Sequence, residues 1–341
     1  MKILQLPTEI AGQSYLTAKG LREIGHDAMN AARPNYYGYP VDYNLQFSNF
    51  GPLKKMFNPI HFFEWTNYFD VFHYHKSYLM PFGLDVKYLR FLNKPFFVEF
   101  WGSDIRINKL ERERNPYFKL PDINGSKKQI KRLKYWSDKT DEVIISDNSF
   151  DIFLKPYFKK IHIVRQRIDT SAFTPIFPNP ETKIPTIVHA PTNKNIKGTV
   201  HIEKAIESLR NKKLNFEYIR IESMNNSDAL KAYSQSDIIV DELLLGSYGI
   251  LACEGMALGK PVVTYIQDSL ISTYPDGFPI VNANPDTIES VLEELILSPQ
   301  KRHDIGKQGR KYVENIHDIK VVAKRLEKIY LEKLPNNKVL L

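Results

Sequence analysis

The stretch Asp241-Glu-Leu-Leu-Leu-Gly-Ser-Tyr-Gly-Ile-Leu-Ala-Cys-Glu-Gly-Met-Ala-Leu-Gly-Lys-Pro-Val-Val-Thr264 decides the fold. An apolar run, Ile238–Val240, leads into two acids, Asp241 and Glu242, and then into the loop Gly246-Ser-Tyr-Gly249. From 250 to 258 the spacing is helical until Gly259 stops it, and Pro261-Val-Val-Thr-Tyr265 restarts as an apolar strand. A loop that feeds a helix N-terminus presents unpaired N–H groups and the positive end of the helix dipole, which suits a phosphate-sized anion. Glu254 lies about one turn into that helix, where a carboxylate can accept two hydrogen bonds from a diol such as a ribose. The same residues also suit a plain parallel-sheet loop with a surface glutamate, so the rest of the chain has to choose.

A length of 341 residues fits two domains of about 150 residues each. Hydrophobic residues at 43% and charged residues at 25% place the chain among soluble globular proteins, and 12% aromatic residues argue against disorder. One cysteine, Cys253, excludes an internal disulfide and a cysteine-based zinc cluster, and it sits among packing residues. The N-terminal stretch is too short for a signal peptide and no run of 18 apolar residues occurs, so a cytoplasmic chain is expected. The net charge of +8 points to a polyanionic partner: nucleic acid, an anionic membrane surface or a phosphorylated substrate. No nucleic-acid-binding motif is present, which leaves the other two.

Strands and helices alternate along the chain. Lys2–Leu6 is a strand, followed by a loop containing Gly12 and a helix that Ser14 can cap. Gly12 lies at the strand's carboxyl end, where open parallel sheets bind ligands. Residues 30–68 show little periodicity and read as loops and short elements of an acceptor surface. Asp70-Val-Phe-His-Tyr-His75 is a strand that puts His73 and His75 on one face. No third metal ligand is spaced to complete a site with them, so no metal is expected, and His75 is a substrate-contact candidate. Strand Lys94-Pro-Phe-Phe-Val-Glu-Phe100 ends in Trp101-Gly-Ser-Asp-Ile-Arg106, where Ser103 and Asp104 are polar and Arg106 can meet an anion. Asp104 can equally cap a turn.

The segment Ser126-Lys-Lys-Gln-Ile-Lys-Arg-Leu-Lys-Tyr-Trp136 sets Ile130, Leu133, Tyr135 and Trp136 among five basic residues, a pattern that can lie on anionic lipid at the inner membrane face. Strands Val143-Ile-Ile-Ser146 and Ile161-His-Ile-Val164 follow. The proline-rich stretch from Arg167 to Pro185 reads as a linker. Beyond it, strand Thr186-Ile-Val-His-Ala190 leads to Lys197, which stands at the turn into a helix where a cation can neutralise phosphate. Two doubly wound parallel-sheet domains with a cleft between them result.

The run Ser247-Tyr-Gly-Ile-Leu-Ala-Cys-Glu-Gly-Met-Ala-Leu-Gly-Lys-Pro-Val-Val263 resembles the nucleotide-binding signature of family 4 glycosyltransferases, glycosyl transferases group 1, with the two-Rossmann-domain (GT-B) fold. Trp101-Gly-Ser-Asp-Ile-Arg106, Arg167-Ile-Asp-Thr-Ser-Ala-Phe-Thr-Pro175, and His189-Ala-Pro-Thr192 with Lys197-Gly-Thr199 match in the same order. The resemblance implies an acceptor-binding domain over 1–166, a nucleotide-sugar-binding domain over 185–317 and a helix near 318–334 that packs back on the first. It implies sugar transfer with retention from a nucleotide-diphosphate sugar to a glycan, lipid-linked or protein acceptor, as in cell-surface polysaccharide synthesis, with no cofactor and no essential metal. Donor contacts are then Glu254 for the ribose, the amides of Tyr248, Gly249 and Ile250 for the diphosphate, with Ser247, Lys197 and Gly12. Catalytic candidates are Lys197, His75 and Asp104, and acceptor contacts are Trp101, Ser103 and Arg106. Gly246 stands where the family has the first of two glutamates eight positions apart, with Asp241 or Glu242 as stand-ins. Two other readings are a non-catalytic subunit that binds nucleotide or glycan and a nucleotide-sugar epimerase.

Overall fold

A computed structural model describes residues 1–33, 38–45, 59–191, 193–222 and 226–334. The chain divides into two units, Met1–Arg106 with Lys127–Arg167 and Ile319–Leu341, and Ile107–Ser126 with Ile168–Asp318.

The first unit is built on a seven-stranded sheet in which every pairing is parallel. Its strands are β1 (Lys2–Leu6), β2 (Asp27–Ala32), β3 (Tyr43–Asn44), β4 (Val71–His75), β5 (Phe96–Phe100), β6 (Glu142–Ile145) and β7 (Lys160–Ile163), in the order β3-β2-β1-β4-β5-β6-β7. β4 and β5 are buried along their whole length, including the polar residues His73, His75 and Glu99 that they carry among apolar ones. The final helix, Ile319–Leu331, lays Val322, Ala323, Leu326, Ile329 and Tyr330 against Ala18, Leu21 and the sheet residues Ile3, Val71 and Phe97. That cluster gives the apolar stripe of the C-terminal helix its burial.

The stretch read as loops and short elements holds, inside or beside it, three such elements that the sequence did not delimit: β2, β3 and the helix Pro59–Tyr68. β2 is Asp-Ala-Met-Asn-Ala-Ala, with no β-branched or aromatic residue, and is held by parallel pairing to β1 rather than by propensity. The rest of that stretch, 34–37 and 46–58, lies outside the described residues. The basic helix forms over Lys127–Ser137, but Leu133 and Trp136 are buried, with Trp136 against Tyr74 and Phe96. The expectation that its apolar stripe faces lipid is therefore corrected: packing against the sheet claims the stripe and leaves the lysines outside.

The second unit holds five parallel strands, β8 (Thr186–His189), β9 (Glu217–Arg220), β10 (Ile238–Val240), β11 (Val262–Thr264) and β12 (Val281–Asn282), ordered β12-β11-β10-β8-β9. Two apolar clusters contribute to its packing, one around Ala252, Met256 and Tyr312 and one around Ile202, Ile206 and Leu292. The stretch read as a linker is packed onto this unit. Arg310 donates to the carbonyls of Thr170, Phe173 and Ala257, and Arg302 to that of Thr182. Residues 107–126, which leave the first sheet after β5 and return before β6, also belong to the second unit.

Candidate active site

The charged groups of the second unit gather beyond the carboxyl ends of β8 and β10. β8 ends at His189, whose Nδ1 donates to the Val240 carbonyl at 2.9 Å, so its Nε2 accepts from the Thr199 hydroxyl at 2.9 Å. Burial pushes the His189 pKa down and keeps the ring neutral. The next element is a single helical turn, Lys194–Lys197, whose first amides are capped by the Asn193 side chain. Gly198 then turns the chain, with φ at 75°, into the helix Thr199–Asn211.

This route presents Lys197 to the two acids that follow β10. Its Nζ lies 2.5 Å from Asp241 Oδ1 and 3.2 Å from Glu242 Oε2. Asp241 is fully buried and Glu242 nearly so. Burial by itself lowers the Lys197 pKa, but the two carboxylates override it and hold the ammonium firmly protonated. One cation thus faces two anions. Any further anion at this ammonium would compete with Asp241 and Glu242.

Past the acids, the loop reaches the helix Ile250–Ala257, whose cap Gly249 supplies no side-chain hydrogen bond. Its first amides are left for another acceptor. The Tyr248 side chain points away from them, with its hydroxyl 3.1 Å from His317 Nε2 and its ring against Tyr274 and Phe278. Only the backbone of Tyr248 is therefore offered to a ligand, whereas Ser247 is buried to 9% exposure. Glu254 is partly buried on the same helix, and its carboxylate makes no ion pair or side-chain hydrogen bond among the described residues. Burial first, and then the nearby charge of Asp241, push its pKa up to about 7.

A wall that the sequence did not announce stands beside the loop. Asn115 Nδ2 donates to the Leu244 carbonyl at 2.9 Å, and Tyr117 Oη reaches Asp286 at 2.6 Å. Gln267 donates to the Gly246 carbonyl through its amide, and its side chain reaches the buried carboxylate of Glu111 at 3.3 Å. A Cβ on Gly246 would fall 2.6 Å from Gln267 Cγ, at a φ of +80° that favours glycine. Gln267 therefore occupies the space that a side chain at 246 needs. Gly246→Glu is expected to lower stability by about 1–3 kcal/mol, read as a lower urea midpoint. An unchanged midpoint would show that Gln267 yields freely.

The first-unit candidates take other positions. Gly12 is the N-terminal cap of the helix Gln13–Glu23, in the left-handed conformation. Asp104 is 3% exposed and accepts from the Trp101 amide at 3.1 Å, so it closes its own turn, and burial raises its pKa. Ser103 is exposed, and Arg106 lies 5.7 Å over the Phe150 ring. His75 is fully buried, hydrogen-bonded to Gln5 at 2.9 Å and stacked on Trp101, so its expected contact with substrate is corrected: neighbouring side chains enclose the ring.

The expectation of no third ligand near His73 and His75 is also corrected. β5 brings in Glu99, and the three residues hold ligand atoms within 4.8 Å of one another. Strand neighbours carried by different segments of sequence have no spacing signature, which is why this one was missed. The carboxylate is already engaged. Arg167 Nη1 and Nη2 take its two oxygens at 2.6 and 2.9 Å, while His73 accepts or donates at Tyr330 Oη, 2.6 Å away.

Two doubly wound parallel sheets, the second carrying a cation and an uncapped helix at its strand ends, define the GT-B fold class. Residues 193–312, about a third of the chain and all within the second unit, match the model of the family Glycosyl transferases group 1. Thr192 of the matching motif lies outside the described residues. The capsular polysaccharide biosynthesis glycosyltransferase CapM of Staphylococcus aureus is 29% identical over 107 residues, which are 30% of this chain and 28% of that protein. Among solved structures, sucrose-phosphate synthase from Thermosynechococcus elongatus aligns over 97% of this chain and 99% of its own, with a TM-score of 0.63 at 14% identity. HepE of Anabaena in complex with UDP covers 98% and 100%, with a TM-score of 0.60 at 13% identity. These structural likenesses concern the fold.

Proposed function

We propose that this chain moves a sugar from a nucleotide-diphosphate donor to a glycan, lipid-linked or protein acceptor, with retention, in cell-surface polysaccharide or glycoconjugate synthesis. The observation that carries the reading is the convergence, beyond the carboxyl ends of the second sheet's strands, of Lys197, the uncapped helix at Ile250 and the carboxylate of Glu254, which has no ion pair among the described residues. The diphosphate sits at the helix N-terminus, where amides and dipole favour an anion. As the bond to the sugar breaks, charge grows on the departing phosphate, and Lys197 shifts from Asp241 and Glu242 to meet it. Glu254 accepts from the two ribose hydroxyls. No metal is required by this scheme, and a chelator is expected to leave transfer unchanged. The relative that acts in capsular polysaccharide biosynthesis and the fold relative bound to UDP make a uridine nucleotide the first donor to try.

Calorimetric titration with UDP, GDP and ADP tests this, with one of them expected to bind and to raise the melting temperature. No affinity for any of the three, or for their sugars, would sink it. The pairing of Lys197 with two carboxylates favours one second reading, a subunit that binds nucleotide without turning it over. Slow hydrolysis of the bound donor sugar excludes that reading.

A further inference from the structure

We propose that the first unit carries a face that docks on an anionic lipid bilayer, with the turn Pro81–Gly83 and the helix Leu84–Phe91 inserting apolar side chains and the helix Lys127–Ser137 supplying cations. Phe82 and Phe91 are each 80% exposed and Leu84 is 52% exposed, among the largest apolar exposures of the described residues. Leu84, Tyr88 and Phe91 recur at helical spacing and share one stripe, with Lys87 beside it. The Phe82 backbone has φ 56° and ψ 14°, a conformation costly for a residue with a side chain, and it leaves the ring in solvent.

The cations stand next to this stripe. A Cβ on Gly83 would fall 1.6 Å from Tyr135 Oη, so the turn rests directly on the basic helix. At the other end, Arg90 reaches the Asp138 carbonyl at 3.5 Å. Lys127, Lys128, Lys131 and Lys134 are exposed, and the helix contains no acidic residue. Its own apolar residues are used against the sheet, so the insertion has to come from the neighbouring turn and helix. A row of exposed lysines on a helix without acids, beside exposed aromatic rings, fits a bilayer that offers anionic headgroups above an apolar interior, with Asp138 the acid at the row's end. Such a surface does not depend on the chemistry of the second unit.

Sedimentation of the full chain with vesicles tests the inference, comparing phosphatidylcholine alone with phosphatidylcholine containing phosphatidylglycerol. Partitioning is expected to rise at least about tenfold with the anionic lipid. Phe82→Ser with Phe91→Ser, and separately Lys128→Gln with Lys131→Gln, are each expected to lower it about tenfold while leaving the melting temperature and nucleotide binding unchanged. Equal binding to both vesicles, or no binding, overturns the proposal. So does full binding by the phenylalanine variant, which shows adhesion without insertion. Light scattering separates the remaining case: a dimer dispersed by the phenylalanine variant, with no vesicle binding, makes the face a contact between copies of the chain.

Discussion

Arg167→Ala is expected to lose about 3–5 kcal/mol of folding stability, far more than a surface arginine contributes. The guanidinium is buried, grips both oxygens of Glu99, and is itself fixed by a reciprocal pair of hydrogen bonds between its backbone and the Gln13 side chain. Without it, a buried carboxylate faces only His73 and His75, whose rings burial keeps neutral. Burial raises the Glu99 pKa, but Arg167 and then His73 overcome that and hold it at about 2. The folded value lies below the ordinary glutamate value of 4.5, so the unfolded chain binds more protons between the two. The stabilisation is full above that window and disappears as pH falls from about 4.5 to about 2. In Arg167→Ala this acid dependence should flatten. Urea unfolding across pH measures both effects. The double variant Glu99→Leu with Arg167→Leu removes the orphaned charge and is expected to recover much of the loss. Failure to recover would mean that the pair does more than neutralise itself.

Glu254→Ala is expected to weaken binding of the nucleotide diphosphate by about 10- to 100-fold, the loss of hydrogen bonds to a charged group. With a pKa near 7, caused mainly by burial and then by Asp241, the carboxylate that accepts a diol is only partly formed at neutral pH. Affinity should therefore climb as pH rises from 6 to 8, in the way expected of a group titrating near 7. Folding responds with the opposite sign. Between 4.5 and about 7 the unfolded chain has released this proton and the folded one has kept it, so stability falls as pH rises through that window. Glu254→Gln cancels the effect and should be more stable than the parent at pH 8, by on the order of 1–2 kcal/mol. An affinity unchanged by Glu254→Ala would remove this residue from the ligand's contacts.

The sheet strands and the turns into the helices near Lys197 and Ile250 were legible because their signals are local. Fully buried strands such as Ile238–Val240 announce themselves as apolar runs, and Lys197 and Ile250 stand at turns into helices. What remained hidden depends on partners distant in sequence. Glu99 and Arg167 are 68 residues apart and Glu111 and Gln267 are 156 apart, with no periodicity linking either pair. β2 was hidden for a different reason, since alanine-rich strands are made by their neighbours. The basic helix shows the limit of a composition argument. Its pattern was right for an amphipathic helix, and only packing could say which side faced out.

The wall of residues 107–126 has a consequence for anyone who would exchange the second unit between relatives. The chain passes from one unit to the other four times, at 106/107, 126/127, 167/168 and 318/319. A hybrid cut at 167 and 318 would import a foreign Leu244, Asp286 and Gln267 while keeping the native Asn115, Tyr117 and Glu111 that fit them. The second unit of this chain is assembled from two pieces of sequence, and a graft has to carry both.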